Sequence, residues 1–297
     1  MLKQNILHDY LTLCKPKVVL LLLITAWVGM VMAIPPNNVI PWQTLIFASC
    51  GIAFAASAAA VINHLLDRHI DQKMSRTALR PLASGRIEPW QAIFFAIVLG
   101  GSALLILNNF VNRITTILTF CSLFGYAGIY TIYLKRATPQ NIVIGGLSGA
   151  MPPLLGWAAV SGEINPHSLL LVLIIFTWTP PHFWALAIYR VKDYTSAKIP
   201  MLPVTHGILF SKQCIVLYVL LLFAVTSLPF VVQMSGKFYF CVACILNLMF
   251  LHFAISLYKA KGFVEHYLAI KTFNFSILYL FVLCMALIID HQLGTKL

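Results

Sequence analysis

Long apolar runs separated by short basic connections dominate the pattern along the chain. A membrane-crossing helix needs about 20 apolar residues in a row. Nine stretches reach or approach that length, at 18–34, 44–66, 91–108, 114–134, 142–160, 169–188, 214–233, 238–258 and 273–289. The reading is an all-α, polytopic membrane helical bundle of about nine transmembrane helices.

Composition sharpens this picture. Of the 297 residues, 60% are hydrophobic and 9% are charged, where a soluble domain carries about 25% charged residues. No soluble core can bury so much apolar surface, so the solvent is the lipid bilayer and residues 1–297 read as one integral membrane domain. The seven cysteines fall in or beside apolar runs. Cys241-x-x-Cys244 has no second pair and no nearby His or Asp, and reads as two small hydrophobes.

The net charge is +12, which in a soluble chain would suggest nucleic acid. Its distribution gives another meaning. Lys3, Lys15 and Lys17 precede the first span, and Arg68, Lys73, Arg76, Arg80 and Arg86 follow the second. Lys135 and Arg136 follow the fourth, Arg190, Lys192, Lys198 and Lys212 the sixth, and Lys259, Lys261 and Lys271 the eighth. Only Arg113, Lys237 and Lys296 fall on the other side. Cytoplasmic loops collect Lys and Arg, so the N-terminus is expected in the cytoplasm and the C-terminus outside, with no nucleic-acid partner. The first span does not read as a signal peptide, because its basic leader is long and eight spans follow. A bacterial cytoplasmic (inner) membrane is the expected home.

Two spans carry paired prolines, Pro152-Pro153 and Pro180-Pro181, which are expected to kink or break them. Broken helices at membrane depth are tolerated where they line a cavity or are buried in protein. Gly145 and Gly149, four apart, read as close helix packing.

The chain has eight acidic residues, and two stand together. Asn63, Asp67 and Asp71 are spaced i, i+4, i+8 at the cytoplasmic end of the second span, and on a helix they share one face. Two carboxylates and an amide oxygen form a ladder suited to a hard cation such as Mg²⁺, which takes one or two carboxylates plus substrate phosphates. Lys73, Arg76, Arg80 and Arg86 follow, and cations beside metal-binding carboxylates make a diphosphate-binding arrangement. A second cluster, with Arg190, Lys192, Asp193 and Lys198, ends the sixth span. Both clusters follow an even-numbered span. This suggests two four-helix halves sharing a central cavity, with a ninth helix added.

Asn63-x3-Asp67-x3-Asp71 resembles the first aspartate-rich motif of the UbiA superfamily of intramembrane prenyltransferases. Further blocks resemble one branch of it, the protohaem IX farnesyltransferases (haem O synthases). They are Met74-Ser75-Arg76-Thr77, Arg80-Pro81-Leu82 with Gly85, Lys135-Arg136, Asn141 to Gly146, Pro152-Pro153-Leu154, Gly156-Trp157, Thr179 to Trp184 and Pro200 to Val204. The last third matches in topology alone. Many superfamily members carry a second Asp four residues after the first in the second cluster; here that position is Ala197, which leaves the number of metal ions open.

The resemblance implies a UbiA-like bundle around a central cavity. It implies Mg²⁺ held by Asn63, Asp67, Asp71 and Asp193, all four catalytic. Farnesyl diphosphate would meet Lys73, Arg76, Arg80, Lys135, Arg136, Lys192 and Lys198. Haem B enters as substrate rather than cofactor, and haem A synthase or terminal oxidase assembly would lie downstream. His182, mid-membrane beside Pro181 and Trp184, is the candidate haem contact, axial or to a propionate; a hydrogen bond to kinked backbone is the alternative. Two other functions share parts of this pattern. One is a prenyltransferase with an aromatic quinone-precursor acceptor. The other is a cation-coupled transporter, which the placement of both acidic clusters at cytoplasmic ends disfavours, since transporter sites lie near the midplane.

Overall fold

The computed structural model describes residues 6–36, 38–72, 74, 77–134 and 137–294. Lys73, Arg76, Lys135 and Arg136, four of the expected phosphate contacts, lie outside the described residues, as do Lys3 and Lys296. Among the described residues every regular element is helical: α1 (Ile6–Leu13), α2 (Pro16–Ala33), α3 (Trp42–Asp71), α4 (Pro89–Phe110) and α5 (Arg113–Phe124), which runs on as a π-helical segment, Gly125–Leu134. There follow α6 (Asn141–Ala150), α7 (Pro152–Ser161), α8 (Pro166–Tyr189), α9 (Val191–Ser196), α10 (Leu202–Thr205), α11 (Gly207–Val231), α12 (Lys237–Lys259) and α13 (Phe263–Leu293). Nine helical stretches among the described residues are long and apolar enough to cross a membrane, in the order expected.

The spans pack in chain order as a closed ring. Each touches the next, and α13 returns to α2. The ninth span is not an addition: Phe273 and Ile277 of α13 line the central cavity, whereas none of its lining residues comes from α4, α11 or α12.

The two proline pairs behave differently. Pro152 and Pro153 open α7 at its first two positions, where the missing N–H costs nothing, and split the fifth span at Met151. Pro180 and Pro181 leave α8 one helix from Pro166 to Tyr189, contrary to a break there. Buried within the protein, they are shielded by neighbouring helices that tolerate the lost bond.

Close helix approach occurs at glycines other than the expected pair. A Cβ on Gly29 would fall 1.9 Å from the Pro153 carbonyl oxygen, and one on Gly156 would fall 2.0 Å from that of Ala26. These two glycines let α2 and α7 touch backbone to backbone. Polar side chains bind α11, α12 and α13 together in lipid, where such bonds act as glue. Asn247 Nδ2 donates to Thr226 Oγ1 at 2.9 Å, and Tyr279 Oη donates to Asn247 Oδ1 at 2.8 Å.

Candidate functional site

The C-terminal end of α3 carries the acidic ladder well into the protein. Asn63, Asp67 and Asp71 are 5%, 2% and 5% exposed, so both carboxylates sit where an ion needs nearby partners. The helix continues five residues past the apolar run to reach Asp71. Asn63 Nδ2 donates to Asp67 Oδ2 at 3.0 Å, which places them on one face as the spacing requires. Asp71 is gripped by Arg80, whose Nη1 lies 2.9 and 2.8 Å from its two oxygens. Thr77 Oγ1 donates to the Asp71 carbonyl at 3.1 Å, tying the following loop to the ladder.

Lys15 is a residue that sequence reasoning treated only as a topology signal. Its Nζ donates to Asn63 Oδ1 at 2.6 Å, and its backbone is left-handed, φ 51° and ψ 59°, between α1 and α2. Pro16 opens α2 directly after it, so the short link swings the Lys15 side chain over the ladder. Lys15 and Lys17 both line the central cavity. Arg86, by contrast, is spent elsewhere: its guanidinium pairs with Asp9 at 3.0 Å and donates to the Leu79 carbonyl, pinning α1 to the loop after α3.

The cavity holds about 520 Å³, within the range of small-molecule sites. Ala59 and Ala60, one turn before Asn63, form part of its wall, which is mostly apolar. Tyr126 and Tyr130 also face it, stacked at 5.4 Å. They ride on the π-helical segment, a form that recurs at functional sites. The Tyr130 ring packs against Gly145, where a Cβ would fall 2.0 Å from it. Gly145 therefore seats an aromatic of the cavity rather than a neighbouring helix, and Gly149 opens onto the cavity with nothing within 4 Å. No sequence signal marked the tyrosines, because a π-helix turns each residue differently from the α-helix that spacing assumes.

The second cluster is more open. Asp193 sits on the short α9 with its carboxylate 3.7 Å from Arg190, the side chains being 26% and 40% exposed. Lys192 and Lys198 are exposed, and Lys198 is left-handed at φ 54°. Among the described residues no three His, Cys, Asp or Glu side chains converge as for a metal ion. The ladder's donors are all oxygen and include two carboxylates, which suits a hard divalent ion that completes its shell with substrate phosphates. His182 is buried and lines the same cavity, and its Nδ1 meets Ser276 Oγ at 2.6 Å rather than kinked backbone.

The chain matches the UbiA prenyltransferase family over residues 22–278. It belongs to that family. It is 56% identical over 284 residues to the protoheme IX farnesyltransferase of Legionella pneumophila (strain Paris), covering 96% of this chain and 95% of that one. It is 55% identical over 286 residues to the enzyme of the same name from Stutzerimonas stutzeri (strain A1501), covering 96% and 94%. Among solved structures, a digeranylgeranylglyceryl phosphate synthase superposes with a TM-score of 0.79 at 21% identity, covering 96% of this chain and 98% of that chain. A UbiA homolog from Archaeoglobus fulgidus bound to GPP and Mg²⁺ superposes with a TM-score of 0.68 at 18% identity, covering 94% and 99%. These two establish the UbiA fold.

Proposed function

We propose that this UbiA-family chain transfers a farnesyl group from farnesyl diphosphate to a vinyl group of protohaem IX, with addition of water, giving haem O and diphosphate. The observation that carries this is 56% identity, over nearly the whole chain, to a protoheme IX farnesyltransferase. Haem B is the second substrate, and the product passes to haem A synthase or terminal oxidase assembly.

The chemistry asks two things of the residues. The bond between the farnesyl C1 and the diphosphate oxygen must break, so the leaving group's charge must be balanced. A divalent ion, Mg²⁺ as in the Archaeoglobus relative, would supply that charge balance when bound with the diphosphate. Asn63, Asp67, Asp71 and Asp193 would hold it. Lys73, Arg76, Arg80, Lys135, Arg136, Lys192 and Lys198 would bind phosphate oxygens, joined by Lys15 from the cavity mouth. Arg80 does this by sharing its guanidinium with Asp71, which it already grips on two oxygens.

The allylic carbon that loses diphosphate must then meet the vinyl group before it meets water. The apolar wall, with its alanines and glycines, excludes water from that carbon, and the faces of Tyr126 and Tyr130 favour positive charge beside them. The vinyl terminal carbon forms the new C–C bond. Water attacks the neighbouring carbon, which has become cationic, and loses a proton to leave a hydroxyl group. Haem extracted from cells that do and do not make this chain tests the reading. A farnesylated haem is expected only in the former, and its absence there would overturn the assignment.

The orientation is part of the proposal. The N-terminus lies in the cytoplasm of a bacterium, the C-terminus outside the inner membrane, and the diphosphate site opens to the cytoplasm where its charged substrate is made. The lopsided placement of Lys and Arg supports this. A reporter fused after Leu293 is expected to be active only outside the cytoplasm; a cytoplasmic signal would mean that one span does not cross.

A further inference from the structure

We infer that His182 Nε2 is an axial ligand for the iron of the haem substrate, and that Ser276 holds it in the tautomer this requires. The inference rests on the haem-farnesylating reading above and adds to it the place where the acceptor binds.

The argument begins with one hydroxyl proton. Ser276 Oγ lies 2.6 Å from the Phe273 carbonyl oxygen, to which it can only donate. Its single proton is thereby used. The 2.6 Å contact between Ser276 Oγ and His182 Nδ1 must then run the other way, with Nδ1–H donating to the hydroxyl oxygen. A neutral imidazole protonated at Nδ1 bears its lone pair at Nε2. That is the state of a metal-binding histidine, whose second nitrogen donates to a nearby oxygen that fixes the ring and raises its basicity.

The surroundings give this lone pair a direction. The His182 ring is held between Trp178, with centroids 4.2 Å apart, and Phe273, at 4.6 Å, both nearly parallel to it. Trp178 is itself anchored, its Nε1 donating to the Ser276 carbonyl at 2.8 Å. An imidazole covered on both faces can offer only an edge, and axial ligation uses an edge. His182 lines the cavity, its ring hydrogen bond is the one at Nδ1, and Phe183, which lines the cavity too, meets the ring edge-on at 4.9 Å. The edge that carries Nε2 therefore opens onto the cavity.

The placement also suits the reaction. His182 lies seven residues before the end of α8, roughly 10 Å into the membrane at 1.5 Å per residue. The same cavity reaches Lys15 and the two tyrosines at its charged mouth. An iron held on His182 fixes where the porphyrin edge sits in this cavity, and so where a vinyl group stands relative to the farnesyl C1. Ser276 is a positioning residue, since it touches the ligand and not the haem.

The test uses the purified full chain in lipid nanodiscs with ferrous haem B and no farnesyl diphosphate, read by absorption and resonance Raman spectroscopy. Wild type is expected to bind haem with an iron–histidine stretch. His182→Ala should lose that stretch, and added imidazole should restore it, which also shows that the variant is folded. Ser276→Ala keeps the Trp178 contact, which uses the backbone carbonyl. It should retain an iron–histidine stretch shifted to lower frequency, with haem affinity weakened about 10-fold, as for other partners of metal-bound histidines. An unchanged iron–histidine stretch in His182→Ala overturns this inference alone. A wild-type chain that binds no haem overturns the haem-farnesylating reading as well.

Discussion

Replacing Asp67 with Asn is expected to lower kcat/KM for farnesyl diphosphate about 10²- to 10³-fold, the usual loss when one preorganised electrostatic contact to the transition state is removed. The folded yield should stay near that of wild type. Asn matches Asp in shape, and its side-chain oxygen can still accept from Asn63 Nδ2, now at 3.0 Å from Asp67 Oδ2. What is lost is one negative charge in a buried place, where a carboxylate is retained only for a counter-charge. Asp71 is a less clean position, because Asp71→Ala would also release Arg80 from its two-oxygen grip. Asp193→Asn provides the comparison. Its carboxylate is partly exposed beside Arg190, and a pair of that kind contributes at most about 1 kcal/mol to folding. If Asp193 reaches the metal with the diphosphate, the variant loses most activity and regains part of it as Mg²⁺ is raised. Wild-type constants in Asp193→Asn would confine the metal to the first ladder, and wild-type constants in Asp67→Asn would remove it from the ladder altogether.

The ladder could be read from the sequence because it obeys a local rule. Four-residue spacing on a helix places Asn63, Asp67 and Asp71 together whatever the rest of the fold does. The nine spans were legible for a similar reason, since hydrocarbon thickness sets their length. Where the reading failed, tertiary contacts decide. Arg86 and Arg80 look alike in the sequence, yet one closes on Asp9, 77 residues away, and the other on Asp71. Gly145 and Gly156 are both glycines near the same proline pair. Only the fold shows that the first seats a tyrosine ring and the second a helix backbone. Tyr126 and Tyr130 needed knowledge of a π-helix, and Lys15 needed the turn that aims it. The last span was placed ten residues too late, because Glu265 and Lys271 made its beginning look like loop, whereas α13 starts at Phe263.

That early start has an energetic cause, and it yields a second large effect. Lys212 on α11 is 3% exposed, and a buried ammonium must be paired. Its Nζ donates to the Ala260 carbonyl at 2.7 Å and forms an ion pair with Glu265 in the first turn of α13. A carboxylate is well placed there, near the positive end of the helix dipole. The polar beginning of α13 is thus helical because it answers a cation on the neighbouring span. Glu265→Ala leaves that cation with only a neutral carbonyl, and should cost about 3–5 kcal/mol, the usual penalty for stranding one partner of a buried pair. Thermal unfolding in detergent should show a marked fall in Tm. Replacing both partners, with Lys212→Met and Glu265→Leu together, should recover most of it, since well-packed apolar residues can substitute for a buried pair at little cost. Wild-type stability in Glu265→Ala would mean that water reaches Lys212. The same variant should weaken substrate binding, because α13 carries Phe273 and Ser276, which hold His182 in place. A rise in KM with a smaller change in kcat would trace that loss to a loosened cavity wall rather than to the ladder proposed to act on the diphosphate.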